Sequence, residues 1–163
     1  MMRLIYIVFL LLLAAPVTAE DRVSGVIAVI IPLNQSADAL HLAPSKLQLI
    51  YLRKQLYWPD GKRIFPVNLQ TEHALRLTFS KAVLSTLPTE QISYWNGLYF
   101  NGIRPPYTVN SDEAALRYVV QTPQAIAYVD ACKVDARVQA VLWIEDNQIT
   151  TKAPEGLNCE KNH

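Results

Sequence analysis

Residues 26–32 read Val-Ile-Ala-Val-Ile-Ile-Pro, an unbroken apolar run dominated by β-branched side chains. A run of this kind fits a strand buried on both faces, as found inside parallel or mixed sheets. Pro32 closes it, and the polar loop Asn34-Gln35-Ser36-Ala37-Asp38 follows. Leu42-Ala43-Pro44 then opens a helix, since proline at the first helical position loses no needed N–H. The spacing of Leu47, Ile50 and Tyr51 extends that helix to about Tyr57. Trp58-Pro59-Asp60-Gly61 is a turn: proline presets φ, and glycine supplies a positive one.

Further along, Ile64 to Val67 reads as a short strand. A helix is expected from Thr71 or Glu72 to about Leu84, with Leu75, Thr78, Phe79, Val83 and Leu84 as its stripe. Thr89 can cap another helix reaching Tyr99, and residues 101–106 form a rigid loop. Ser111-Asp112-Glu113 starts a helix that ends near Gln121, with acids well placed in its first turn. Ala125 to Val129 and Val138 to Ile144 complete the strands. Strands separated by helices predict a three-layer α/β domain. An α+β arrangement with a segregated antiparallel sheet is the alternative.

The start of the chain carries a different signal. Arg3 precedes an apolar run from Leu4 to Ala15, Pro16 breaks it, and Val17-Thr18-Ala19 offers small residues for a peptidase. This is the signal-peptide pattern. A run of about 12 apolar residues is too short for a spanning helix, which needs roughly 20. The expected organisation is a signal peptide over 1–19, one α/β domain over 20–150 and a polar tail over 151–163. Periplasmic location follows as an expectation, with no membrane insertion after cleavage.

Once Arg3 is removed, 14 basic residues face 14 acidic ones. That balance gives no support for nucleic acid or an anionic membrane surface as a partner. Two cysteines, Cys132 and Cys159, are expected to bridge in an oxidising compartment and pin the tail. The competing reading pairs Cys159 with His163 as metal ligands, a weak pattern on a terminal tail. Histidines at 41, 73 and 163 offer no metal spacing, and no cofactor motif is present.

The order of motifs carries a resemblance. The buried strand and Asn34-Gln35-Ser36 come first, then Leu47-Gln48-Leu49-Ile50-Tyr51, Trp58-Pro59-Asp60-Gly61 and Pro66-Val67-Asn68. Ala74-Leu75-Arg76-Leu77-Thr78-Phe79, Tyr94-Trp95, Gly102-Ile103-Arg104-Pro105-Pro106 and Thr122-Pro123-Gln124-Ala125-Ile126-Ala127-Tyr128-Val129 follow. Over residues 26–130 the chain resembles the phosphate-type periplasmic substrate-binding proteins, in a short single-domain form. The resemblance implies a three-layer, mixed-sheet lobe of the type II periplasmic binding fold. It also implies a role beside an ABC transporter, with a small oxyanion such as phosphate as ligand and no catalysis.

Relatives of this kind place a Ser-Gly-Thr-like stretch at a helix start, where free N–H groups and the helix dipole hold the anion. Here the matching stretch is Gln70-Thr71-Glu72-His73-Ala74. Only Thr71 keeps a hydroxyl, and Glu72 sets a negative charge where the anion would rest. The candidate ligand-binding residues are Asn34, Ser36, Thr71, His73, Arg76 and Ser111. Three of them have a plainer role: Ser111 as a helix cap, His73 as a surface or first-turn residue, Arg76 as the i+4 partner of Glu72. Asn34 and Ser36 qualify because ligands gather beyond the carboxyl ends of strands. Two-lobe binding proteins close over ligand from both sides, so one lobe offers half a site. The alternative function is a degenerate lobe that docks another envelope protein. No nucleophile–base arrangement is present, so no catalytic residue is expected.

Overall fold

A computed structural model describes residues 24–157 and Cys159. The signal peptide expected over 1–19 lies outside the described residues, as does His163. Strand β1 (Ile27–Pro32) is buried along its whole length. It lies between β4 (Ala125–Asp130) and β5 (Val138–Glu145). Beyond them lie β2 (Phe65–Leu69), β3 (Tyr107–Val109) and β6 (Gln148–Thr150), giving the order β3-β2-β4-β1-β5-β6. Strands β2, β3 and β4 run parallel, whereas β1 is antiparallel to both β4 and β5.

The two faces of β1 explain its composition. Ile27, Val29 and Ile31 join Ile126, Tyr128, Leu142 and Ile144 in one core. Helix α1 (Ala37–Leu40) is a single turn, and α2 (Pro44–Tyr51) and α3 (Ala74–Phe79) cover that face. Ala28 and Ile30 join Ala127 and Val129 under α5 (Asp112–Gln121), which contributes Ala115, Leu116 and Val119. Alternate side chains of one strand thus feed two cores, and helices cover both faces. The result is the three-layer mixed-sheet α/β arrangement rather than the segregated α+β alternative.

Several boundaries differ from expectation. The helix predicted to reach Tyr57 stops at Tyr51. Arg53 adopts φ 57°, its amide donates to Ile50 O at 3.0 Å, and Lys54 N donates to Leu49 O at 2.8 Å. This is a Schellman stop with arginine in the left-handed position usually held by glycine. The next helix starts at Ala74 rather than Thr71 or Glu72, because His73 supplies the cap. It continues as a wider π turn over Ser80–Leu84. The predicted third helix begins as a 3-10 turn, Pro88–Gln91, before α4 (Ile92–Tyr99). Strands β3 and β6 have three residues each, too few to show a period.

Cys132 and Cys159 form a disulfide across 27 residues, with Cα atoms 5.2 Å apart. Both sulfurs are therefore consumed, and Cys159 is not a metal ligand. The bridge holds the end of the tail beside the 3-10 turn Ala131–Lys133, where Leu157 packs on the α5-side core. Replacing both cysteines by serine is expected to cost about 2 kcal/mol, the low end of the usual range, since only one short tail is released. Urea unfolding of the oxidised protein and the double variant checks this. No described helix is long and apolar enough to cross a membrane.

Candidate functional site

Strand direction sorts the candidate residues. Asn34 and Ser36 follow the carboxyl end of β1. In the antiparallel register Ile27 faces Asp130 and Ile30 faces Ala127, so that end lies at the start of β4. Gln35 Nε2 donates to Gln124 Oε1 at 2.7 Å and fixes the loop there. Phe65 of β2 also faces Ala125, so the carboxyl end of β2 lies at the other edge of the sheet. Thr71, His73, Arg76 and Ser111 gather at that second edge, and Asn34 and Ser36 do not join them. Asn34 and Ser36 do follow the carboxyl end of a strand, but because β1 runs antiparallel to β4, and β4 parallel to β2, that end lies opposite the carboxyl ends of β2 and β4.

At the second edge, residues 70–73 form a turn in which His73 N donates to Gln70 O at 3.0 Å. His73 caps α3: its Nδ1 accepts from Leu75 N at 3.3 Å. Thr71 and Glu72 are exposed and precede the helix rather than forming its first turn. Ser111 caps α5, with its Oγ accepting from Ala114 N at 3.2 Å. Asp112 Oδ1 accepts from Asp130 N at 2.9 Å and ties the start of α5 to the end of β4. Burial pushes the Asp112 carboxyl above its ordinary range, and the Asp130 amide pulls it back part of the way.

Arg76 behaves differently from every other cation at this edge. It is only 6% exposed, and Glu72, its expected i+4 partner, is exposed and does not pair with it. No carboxylate pairs with Arg76 among the described residues, and its Nη1 is buried without a hydrogen-bond acceptor. The guanidinium lies beside the hydroxyls of Tyr128 and Tyr51. Burial raises both phenols above their ordinary pKa, and the arginine charge opposes that rise. Tyr128 Oη donates to Asn68 Oδ1 at 3.3 Å and accepts from Leu69 N at 3.3 Å. Asn68 and Tyr128 were legible only as a motif residue and a core aromatic. Their polar ends complete a buried Tyr–Asn–Arg cluster under the end of β2.

The buried guanidinium gives this arrangement a positive charge that can hold a negative one. Among the described residues no group of three metal-ligating side chains converges.

Solved structures share this architecture. One is a protein from Clostridium perfringens described as a phosphate ABC transporter substrate-binding protein, with phosphate bound. It matches 73% of this chain and 46% of its own, at 18% identity and TM-score 0.57. The fold is that of one lobe of such a binding protein. An ABC-type phosphate transport receptor from Vibrio cholerae matches 73% of this chain and 47% of its own, at 16% identity and TM-score 0.54. The chain thus spans about half the length of the structures it matches. No protein-family model matches the chain, and no curated protein matches it. At these identities the likeness concerns the binding-protein lobe as a fold.

Proposed function

We propose that this chain is an exported, non-catalytic lobe of the substrate-binding type that offers a half-site for a small oxyanion such as phosphate. Residues 1–19 act as the cleaved signal in this reading, and the mature domain works in the periplasm. Arg76 carries the proposal. A buried cation without a counter-charge is costly, and an anion beside it removes that cost. Thr71 stands on the same edge, and its hydroxyl supplies a further donor. A second surface, from an ABC transporter or another envelope protein, completes the cleft.

Calorimetric titration of the mature domain with phosphate and with sulfate tests the reading. Arg76→Ala is expected to weaken binding at least about tenfold, as loss of a charge-assisted donor does. Glu72→Ser is expected to tighten it roughly threefold by removing an exposed like charge. Unchanged affinity in both variants removes this edge as the site.

The second reading is a lobe without ligand that serves protein interaction. It is favoured by the His73 cap, which occupies the Leu75 amide, and by the distance of Asn34 and Ser36 from the other candidates. Undetectable phosphate binding in the titration supports it.

A further inference from the structure

The opposite edge of the sheet holds a second feature, independent of the oxyanion reading. Three arginines, Arg53, Arg63 and Arg104, line one cleft of about 390 Å³, and no carboxylate lines it. Each comes from a separate element: the stop after α2, the hairpin closed by the Tyr57–Arg63 bridge, and the Gly102–Pro106 loop. None of the three forms an ion pair among the described residues. In a mature chain with equal numbers of acids and bases, three unpaired guanidinium groups around one hollow form a strong local asymmetry.

Arg53 is the most constrained. Its backbone is left-handed, Nη1 donates to Ile64 O at 3.2 Å, and its Nε is buried without an acceptor. Burial, and then the like charge of Arg63, lowers its pKa from the ordinary arginine value. These costs are incurred inside a cleft with nothing negative to offset them.

The cleft is not a closed pocket for a small ion. Its rib, Arg104-Pro105-Pro106-Tyr107, is shared with a second hollow lined by Trp95 and Tyr99 of α4. Helix α4 has no buried residue, Tyr99 is 63% exposed and Phe100 is 89% exposed. Tyr107 is 59% exposed and stacks on Tyr118 with centroids 5.0 Å apart. Guanidinium groups on one side of the rib and open aromatic rings on the other make an elongated surface. Its complement is an extended segment carrying carboxylates at some positions and apolar side chains at others.

We propose that this surface docks an acidic, partly apolar segment of a partner protein, with carboxylates seated between Arg53, Arg63 and Arg104. Planar guanidinium forks suit carboxylates, and exposed aromatic rings flanking them are typical anchors of protein contacts.

The test uses the mature, disulfide-bonded protein and a fluorescein-labelled peptide of alternating glutamate and leucine, read by anisotropy. Saturable binding is expected, weakened at least about tenfold by Arg63→Glu combined with Arg104→Glu, and weakened also by salt. Both side chains are exposed, so circular dichroism should show an unchanged fold. Arg76→Ala should leave peptide binding intact, which separates this surface from the oxyanion site. Three results would overturn the proposal. One is no saturation up to about millimolar peptide, the upper limit of useful affinity. Another is equal binding by the charge-reversed variant. The last is full competition by inorganic phosphate with no gain from the leucines, which would make the cleft a plain anion site.

Discussion

Phe79→Ala is expected to destabilise the domain by about 3–5 kcal/mol, the usual cost of emptying an aromatic site in a core. Phe79 is fully buried near the carboxyl end of α3. Its ring stacks on Tyr128 with centroids 3.8 Å apart and planes 6° from parallel, and it meets Tyr51 at 4.6 Å. Those tyrosines are anchored by their hydroxyls. Tyr51 Oη lies 3.2 Å from Val67 O and 3.4 Å from Ile126 O, and Tyr128 Oη is bonded to Asn68 and Leu69. The three rings therefore lock α2 and α3 onto β2 and β4 at one place. Removing the middle ring leaves a cavity that two tethered tyrosines cannot move to fill. Phe79→Leu should cost far less, about 1 kcal/mol, because most of the volume stays. Urea unfolding with unchanged m-values would read both. Equal small losses for the two variants would mean that α3 settles without the stack.

The same stack shows what the sequence could and could not reveal. Phe79 was legible as core from its place in an apolar stripe, and β1 from seven uninterrupted apolar residues. Burial on both faces is written into composition, because every position of such a strand needs an apolar side chain. Strand direction is not. Nothing local distinguishes a parallel from an antiparallel β1, yet that direction decides at which edge of the sheet Asn34 and Ser36 lie. The stop after α2 was hidden for another reason. Arginine at a left-handed position lacks the glycine that normally announces such a stop, so the helix read six residues too long. Ser111 as a cap was legible, since serine followed by two acids is a local signal. His73 as a cap was not, because imidazole is an uncommon acceptor for a first-turn amide. The Tyr128–Asn68–Arg76 cluster joins residues from three elements, and no spacing within one element points to it.

Arg76→Met is expected to raise the melting temperature in phosphate-free buffer and to abolish any rise caused by added phosphate. The first effect comes from desolvation. Arg76 is 6% exposed with one buried nitrogen lacking an acceptor, so folding removes a cation from water with incomplete return. Replacing buried charge by an apolar chain of similar length stabilises by about 1–4 kcal/mol in favourable cases. For a domain of this size that is roughly 4 °C or more. Methionine is the right probe because its flexible chain can fill the arginine stem's path without opening a cavity. Tyr128 keeps Asn68 and Leu69 as partners, so the substitution strands no hydroxyl. The second effect comes from linkage: a ligand that binds only the native state stabilises it in proportion to the logarithm of its concentration over Kd. Wild-type protein should therefore gain on the variant as phosphate is added. A lower melting temperature for Arg76→Met without phosphate would show that the guanidinium holds the Tyr128 and Tyr51 hydroxyls together as a structural element. In that case its burial needs no anion, and the argument for an oxyanion at this edge loses its support. Stabilisation by the variant, with no phosphate response in either protein, would instead mark Arg76 as a remnant whose ligand the lobe no longer binds.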